Sequence, residues 1–216
     1  MSVANASPSL RIQVRGVEPA EPAAAPTLRF LLRIDASTRA PIRALTLATQ
    51  IRIDAPARAY DESDRQRLKE LFGEPGDWGR TLSSLLWTQT VTHVPPFTGG
   101  TSAPITVACT YDFDVAATKY LHALQGGEVP LRFLFTGTVF YDDGGLLRAG
   151  HLPWDTEAGF LMPVEVWKEL MDRHFPRTAW IRLERETFDR LYAHRVRHTM
   201  LGWDDTVRSL LDTNEG

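Results

Sequence analysis

Leu10, Ile12 and Val14 alternate with Arg11, Gln13 and Arg15, and the same period of two returns over residues 27–35. There Leu28, Phe30, Leu32 and Ile34 share one face, while Arg29, Arg33 and Asp35 share the other. Residues 43–54 repeat the pattern, with Leu45, Leu47, Ile51 and Ile53 set against Thr46, Gln50 and Arg52. Successive side chains of a strand point to opposite faces, so each run predicts a half-buried strand. Three such runs in close succession, punctuated by Ala40-Pro41 and Ala55-Pro56, predict antiparallel pairing.

The period then breaks. Ser63 with Gln66 is spaced as a capping box, and Leu68, Leu71 and Phe72 predict a short helix stopped by Gly73. A second short helix is predicted over 80–87. Strands return at 88–94 and 104–113, where Ile105, Val107, Cys109, Tyr111 and Phe113 share a face. A helix over 115–124 ends at Gly126-Gly127. Residues 129–141 (VPLRFLFTGTVFY) are apolar on both faces and predict a central strand. Asp142-Asp143-Gly144-Gly145 turns it into a further strand over 146–152. The expected fold is α+β: an antiparallel β-sandwich of the immunoglobulin-like kind over 1–152, with a helical insertion at 61–87. After Pro153 the period becomes helical. Pro163 opens a helix with Val166, Trp167, Leu170, Met171 and Phe175 as its apolar stripe, and Pro176 closes it. Residues 153–216 are thus expected to form a helical C-terminal region.

Composition narrows the function classes. The 216 residues include 24 basic ones, of which only Lys69, Lys119 and Lys168 are lysines, leaving 21 arginines, yet the net charge is −3. That balance argues against bulk nucleic-acid or anionic-membrane binding. The arginines fall at outward strand positions or beside acids, which describes a solvated shell. Cys109 is the single cysteine, which excludes an internal disulfide or a cysteine metal cage. No apolar run reaches the length of a membrane span, and residues 1–8 have neither a basic start nor an apolar stretch. A cytoplasmic location, no membrane and no cofactor are expected.

Candidate chemistry is sparse. Glycine-rich phosphate loops and a GxSxG elbow are both missing from the sequence. Cys109 alternates with Ile105, Val107 and Tyr111, as a buried small hydrophobe does. His194 and His198 have the i, i+4 spacing that chelates a metal from one helix face, but no third ligand accompanies them. No metal site is expected, and these two are the weak candidates. Asp112 and Asp114, two apart on a predicted strand, have the spacing of paired catalytic carboxylates; Asp114 reads equally as a cap for the helix at 115. Asp142 and Asp143, with His151, Trp154 and Asp155 nearby, offer a second acidic pair. There Trp154 reads more simply as a core anchor beside a hairpin tip.

The last forty residues carry a recognisable pattern. A strand over 178–184 places Ala179, Ile181 and Leu183 on one side and Trp180, Arg182 and Glu184 on the other. IRLERETFDRL continues into a helix to about residue 199, and GWDDTVRSLL gives a second after a glycine turn. The 178–211 order resembles the ribbon–helix–helix fold of small bacterial repressors and antitoxins. That resemblance implies pairing of two chains through their strands, with Trp180, Arg182 and Glu184 facing DNA bases. Six arginines against seven acids over 178–216 give the wrong sign for a DNA reader. A folded cap or dimerisation element is the better reading, with a strand joining the sandwich edge as its equal.

Over a wider span, CTYDFDVAATKYLHALQGGEVPLRFLFTGTVFY and WDTEAGFLMPVEVWKELMDRHFP resemble an actinobacterial family of unknown function. Genes of that family are often found beside those for NiFe-hydrogenase structure and maturation, so the resemblance implies an accessory or assembly role. The expected function is therefore a non-catalytic accessory protein acting through protein–protein contact, with an unidentified protein partner and a homodimer through the 178–184 strand. The alternatives are a DNA-binding regulator using the C-terminal module, and a hydrolase or carbohydrate-active enzyme using Asp112/Asp114 or Asp142/Asp143.

Overall fold

A computed structural model describes residues 7–112, 115–178 and 181–212. The chain divides into two compact units, Met1–Ala179 and Trp180–Gly216.

The first unit is α+β, with two antiparallel sheets and several helices. The three period-two runs form β1 (Leu10–Pro19), β2 (Thr27–Ala36) and β3 (Ile42–Ile53). Strand β4 (Leu85–Val94) pairs with β3, and β5 (Gly100–Ala108) pairs with β2. Strand β6 (Glu128–Asp143) is central, with β3 on one side and β7 (Leu146–His151) and β8 (Glu157–Pro163) sharing the other. The sheet orders are β1-β2-β5 and β4-β3-β6-β7, with β8 also on β6. Gly144 and Gly145 both take positive φ, 59° and 87°, as the two-residue turn between β6 and β7 requires.

Alternation decides what is buried. Leu28, Phe30, Leu32 and Ile34 of β2, Leu45, Leu47, Ile51 and Ile53 of β3, and Val129, Leu131, Phe133 and Phe135 of β6 form one core cluster. Phe30 meets Phe133 edge-on with centroids 5.2 Å apart, and Trp87 and Phe160 lie 6.0 and 6.1 Å from the same ring. Edge-to-face pairs add roughly 1 kcal/mol each beyond the burial itself. The charged residues of β2 face outward into ion pairs, Arg29 with Glu18 at 2.7 Å and Arg33 with Asp35 at 2.7 Å.

Short helices fill the excursion after β3: α1 (Glu62–Arg67), α2 (Lys69–Phe72) and α3 (Trp78–Thr81). The cap of α1 is Asp61, whose carboxylate accepts from the Asp64 N–H at 2.7 Å; Ser63, the expected cap, lies inside the helix. Gly73 stops α2 at φ 74°, as its position predicts. The helix expected over 80–87 is cut short because Leu85 and Leu86 join β4 opposite Ile53 and Arg52. Helix α4 (Ala116–Ala123) sets Tyr120 and Leu121 into the core, and α5 (Val164–His174) sets in Val164, Trp167, Leu170 and Met171.

The division at 179/180 corrects the expected boundary at 152/153. Residues 157–163 belong to the first unit because β8 hydrogen-bonds the first half of β6, and α5 packs its stripe into the same core. The second unit contains α6 (Arg185–Arg197) and α7 (Trp203–Asp212). The strand expected over 178–184 does not form in Thr178 or Ile181 to Glu184, which pair with no strand edge among the described residues. Ala179 and Trp180 lie outside the described residues. No helix among the described residues is long and apolar enough to cross a membrane.

Candidate functional site

Thr46 on β3 lies opposite His93 of β4 and Thr138 of β6, and Thr138 lies opposite His151 of β7. A row of His, Thr, Thr and His therefore crosses four strands on the face turned away from the core. Strand spacing makes it about 14 Å long. His93 Nδ1 lies 3.3 Å from Thr46 Oγ1, and His151 Nδ1 lies 3.4 Å from Thr138 Oγ1. The next outward rows are Val91–Ala48–Thr136 and Gln89–Gln50–Leu134.

Trp154 completes this face. Residues 153–156 form a turn closed by Thr156 Oγ1 donating to the Pro153 carbonyl at 2.7 Å. The Phe135 N–H donates to the Thr156 carbonyl at 2.9 Å, which moors the turn to β6. The turn projects the Trp154 ring to 91% exposure, so the expectation of a core anchor is overturned. Trp154 lines a depression of about 600 Å³ with Ala48, Gln50, Gln89, Val91, Leu134 and Thr136. Its floor carries no formal charge. The guanidinium groups further along, Arg52 and Arg132, are held by Ser84 at 2.8 Å and Asp54 at 2.9 Å.

Among the described residues no carboxylate orients either imidazole, and the Thr–His separations exceed an ordinary O–H···N bond. What the face offers is one projecting indole, a rim of amides and hydroxyls, and a neutral floor.

The other candidates are placed elsewhere. Asp142 is clasped by Arg43, whose Nε donates at 2.8 Å and which it holds above the usual guanidinium range, and Asp143 lies 3.6 Å from Arg148. Asp112 follows Cys109, whose N–H reaches the Pro26 carbonyl, whereas Asp142 donates its N–H to Pro41 beside Ile42. The two acids thus sit at opposite ends of the strands; Asp114 lies outside the described residues. Asp142 and Asp143 do not line the depression with Trp154. Cys109 is buried, and burial pushes its thiol up to about 12. His194 of α6 and His198, the residue that caps its end, lie with ring centroids 4.3 Å apart and planes tilted by 41°, and His194 Nε2 is sealed without a hydrogen-bond partner. Among the described residues no group of three or more His, Cys, Asp or Glu is gathered as for a metal ion. Arg182 and Glu184 are exposed in the non-strand segment before α6.

Hydrophobic spacing alone does not assemble the Trp154 face. Gln50, Gln89, Val91 and Thr136 occupy outward positions readable in each strand, but their adjacency depends on the β4-β3-β6 register. The available signal was the Pro153-Trp154-Asp155-Thr156 sequence, whose flanking residues favour a turn over a buried anchor.

Two antiparallel sheets and several helices define a β-rich α+β protein. The chain belongs to a family of unknown function, DUF6084, whose model matches residues 7–216. No curated protein matches it. Among solved structures it is similar to the CARDB domain of a Pyrococcus furiosus protein in complex with di-metal ions, at 9% identity and TM-score 0.28, covering 72% of this chain and 91% of that one. It is also similar to the putative ApaA protein of Bordetella pertussis, at 11% identity and TM-score 0.30, covering 72% and 93%. A β-glucosidase from Kluyveromyces marxianus matches at 6% identity and TM-score 0.27, over 73% of this chain but 15% of that enzyme. Likenesses at this level extend to neither ligand nor activity.

Proposed function

We propose that this protein is a non-catalytic accessory or assembly factor that works by protein–protein contact through the outer face of its five-stranded sheet. The observation that carries the reading is the 91% exposed Trp154 standing over an uncharged depression. A large exposed indole costs solvation and gives the fold nothing, whereas an aromatic anchor ringed by neutral polar groups is what the centre of a binding surface needs. Val91 and Leu134 extend the apolar contact, and Gln50, Gln89, Thr136, His93 and His151 supply hydrogen bonds around it. The partner would present a pocket for the indole and backbone groups for the amides.

The same reading takes the two sheets as an immunoglobulin-like sandwich, supported by the Phe30 contacts with Phe133 and Phe160. It places the protein in the cytoplasm. An accessory role beside NiFe-hydrogenase maturation, implied by the family resemblance, requires only such a surface.

The test is affinity capture of the full chain from its native cells, run in parallel with Trp154→Ala and Val91→Asp. One protein retained in stoichiometric amount by the native chain and lost with both variants supports the proposal. Equal retention by all three chains, or none by the native chain, overturns it.

A further inference from the structure

Helix α6 turns by about 100° per residue, which sets Arg190, His194 and Arg197 within about 60° of one another on one face. With Thr187 and with Leu191 and Leu210, the last from α7, they line a depression of about 470 Å³. Along the axis the two arginines stand about 10 Å apart with His194 between them, so their side chains can close over a small anion. His194 Nε2 has no hydrogen-bond partner there, whereas a buried polar atom normally has one.

The other charges of the two helices leave this face positive. Glu186, one turn before Arg190 and about 40° from it, is the nearest acid by the helical period, yet the two form no ion pair. Asp189 lies about 100° round the helix from Arg190, and Arg185 about 140° round it. Arg195 is engaged by the carbonyls of Met200 and Leu201 and by the Trp203 ring. On α7, Arg208 holds Asp204, and neither Asp205 nor Asp212 reaches the depression. Among the described residues no carboxylate lines it. Two guanidinium groups, an imidazole and a hydroxyl therefore converge with nothing to neutralise them.

A guanidinium presents paired N–H donors that match two oxygens of a phosphate. A phosphate monoester carries nearly two negative charges at neutral pH and three free oxygens, enough for both arginines at once, where a carboxylate offers one charge and two oxygens. The depression has room beyond a phosphoryl group, and Leu191 and Leu210 give that remainder an apolar wall. We infer that α6 and α7 form a binding site for the phosphate monoester of a small organic molecule. Its phosphoryl group sits between Arg190 and Arg197, and its apolar part lies against Leu191 and Leu210. This site is distinct from the Trp154 face, and the inference stands whatever that face binds.

Amide NMR of the full chain, titrated with phenyl phosphate at constant ionic strength, tests it. Shifts should concentrate between Thr187 and Arg197 and should saturate. Arg190→Gln and Arg197→Gln should each raise the dissociation constant roughly tenfold, the effect of losing a charged hydrogen-bond donor. Both arginines are exposed, so neither exchange removes packing. Arg190→Lys keeps the charge without the paired donors and should also bind more weakly than the native chain. Arg185→Gln, on the far side of α6, should leave the affinity unchanged, which separates a site from the general field of the helix. Inorganic phosphate and benzoate, each offering one half of the ligand, should both bind more weakly than phenyl phosphate. Absence of a saturable shift up to roughly 10 mM overturns the proposal. Equal affinities of the Arg185→Gln, Arg190→Gln and Arg197→Gln chains overturn it too, and so does benzoate binding as tightly as phenyl phosphate.

Discussion

Arg58 and Asp64 meet at 3.2 Å with their side chains only 10% and 4% exposed. The pair is a junction: Arg58 also donates to the carbonyls of Gly126 and Glu128, at 2.7 and 2.6 Å, while Asp64 accepts from the Gln125 N–H at 3.1 Å. It ties the helical excursion after β3 to the loop leading into β6. Breaking such a pair leaves one charge buried and uncompensated, which costs more than the pair contributes. Asp64→Ala should therefore lower stability by about 3–5 kcal/mol, against about 1 kcal/mol for the exposed cap variant Asp61→Ala. Urea unfolding of both variants checks the ranking; equal losses would show that the junction is no more than a surface pair.

Gly137 of β6 sits where β3 leaves no room for a side chain. A Cβ there would stand 2.3 Å from the Thr46 carbonyl oxygen, a backbone atom that cannot swing aside. Gly137→Ala should cost about 3 kcal/mol and disturb the Thr46–Thr138 row beside it. Gly159→Ala on β8, where a Cβ meets nothing within 4 Å, should be nearly neutral. Thermal melts of the two variants separate a local clash from a general intolerance of alanine in strands.

The strands that alternate cleanly were legible because burial on one face writes a period of two into the sequence; β1, β2 and β3 are of this kind. Strand β8 was not, because of its seven residues only Met162 is buried, and Gly159 interrupts the rest. Its identity comes from pairing with β6, a relation between distant segments. For Ile181 to Glu184 the reason is the opposite: Ile181 and Leu183 alternate well, but among the described residues no edge takes up their backbone. The candidate site was legible only in fragments, since Trp154, Gln50 and Gln89 are joined by sheet register, and acids chosen for spacing, such as Asp142, proved to be ion-pair partners of arginines.

Two tryptophans should separate cleanly. Trp78 is 9% exposed, packs edge-on to Tyr60 at 5.3 Å and donates its indole N–H to the Gly73 carbonyl at 3.0 Å. Its replacement by alanine should cost about 3–5 kcal/mol. Trp154→Ala should change stability by less than about 0.5 kcal/mol. In fluorescence, Trp154→Ala should remove a red-edge, readily quenched component. A large stability loss on removing Trp154 would mean that the ring is a packing residue, and the contact surface would lose its anchor.

Cys109 provides the pH test. Burial raises its thiol from an ordinary 9.0 to about 12. The folded protein therefore keeps the proton that the unfolded chain gives up above pH 9. The stabilisation is fully present below the unfolded value and is lost as pH rises towards about 12, with a slope of about 1.4 kcal/mol per pH unit at most. Cys109→Ala should flatten this part of the alkaline stability curve. The buried thiol should also react with a disulfide reagent at neutral pH only at the rate of opening or unfolding, and so accelerate with urea. Rapid stoichiometric labelling of the folded chain at neutral pH would show an accessible thiolate, and with it a reactive cysteine in place of a core one.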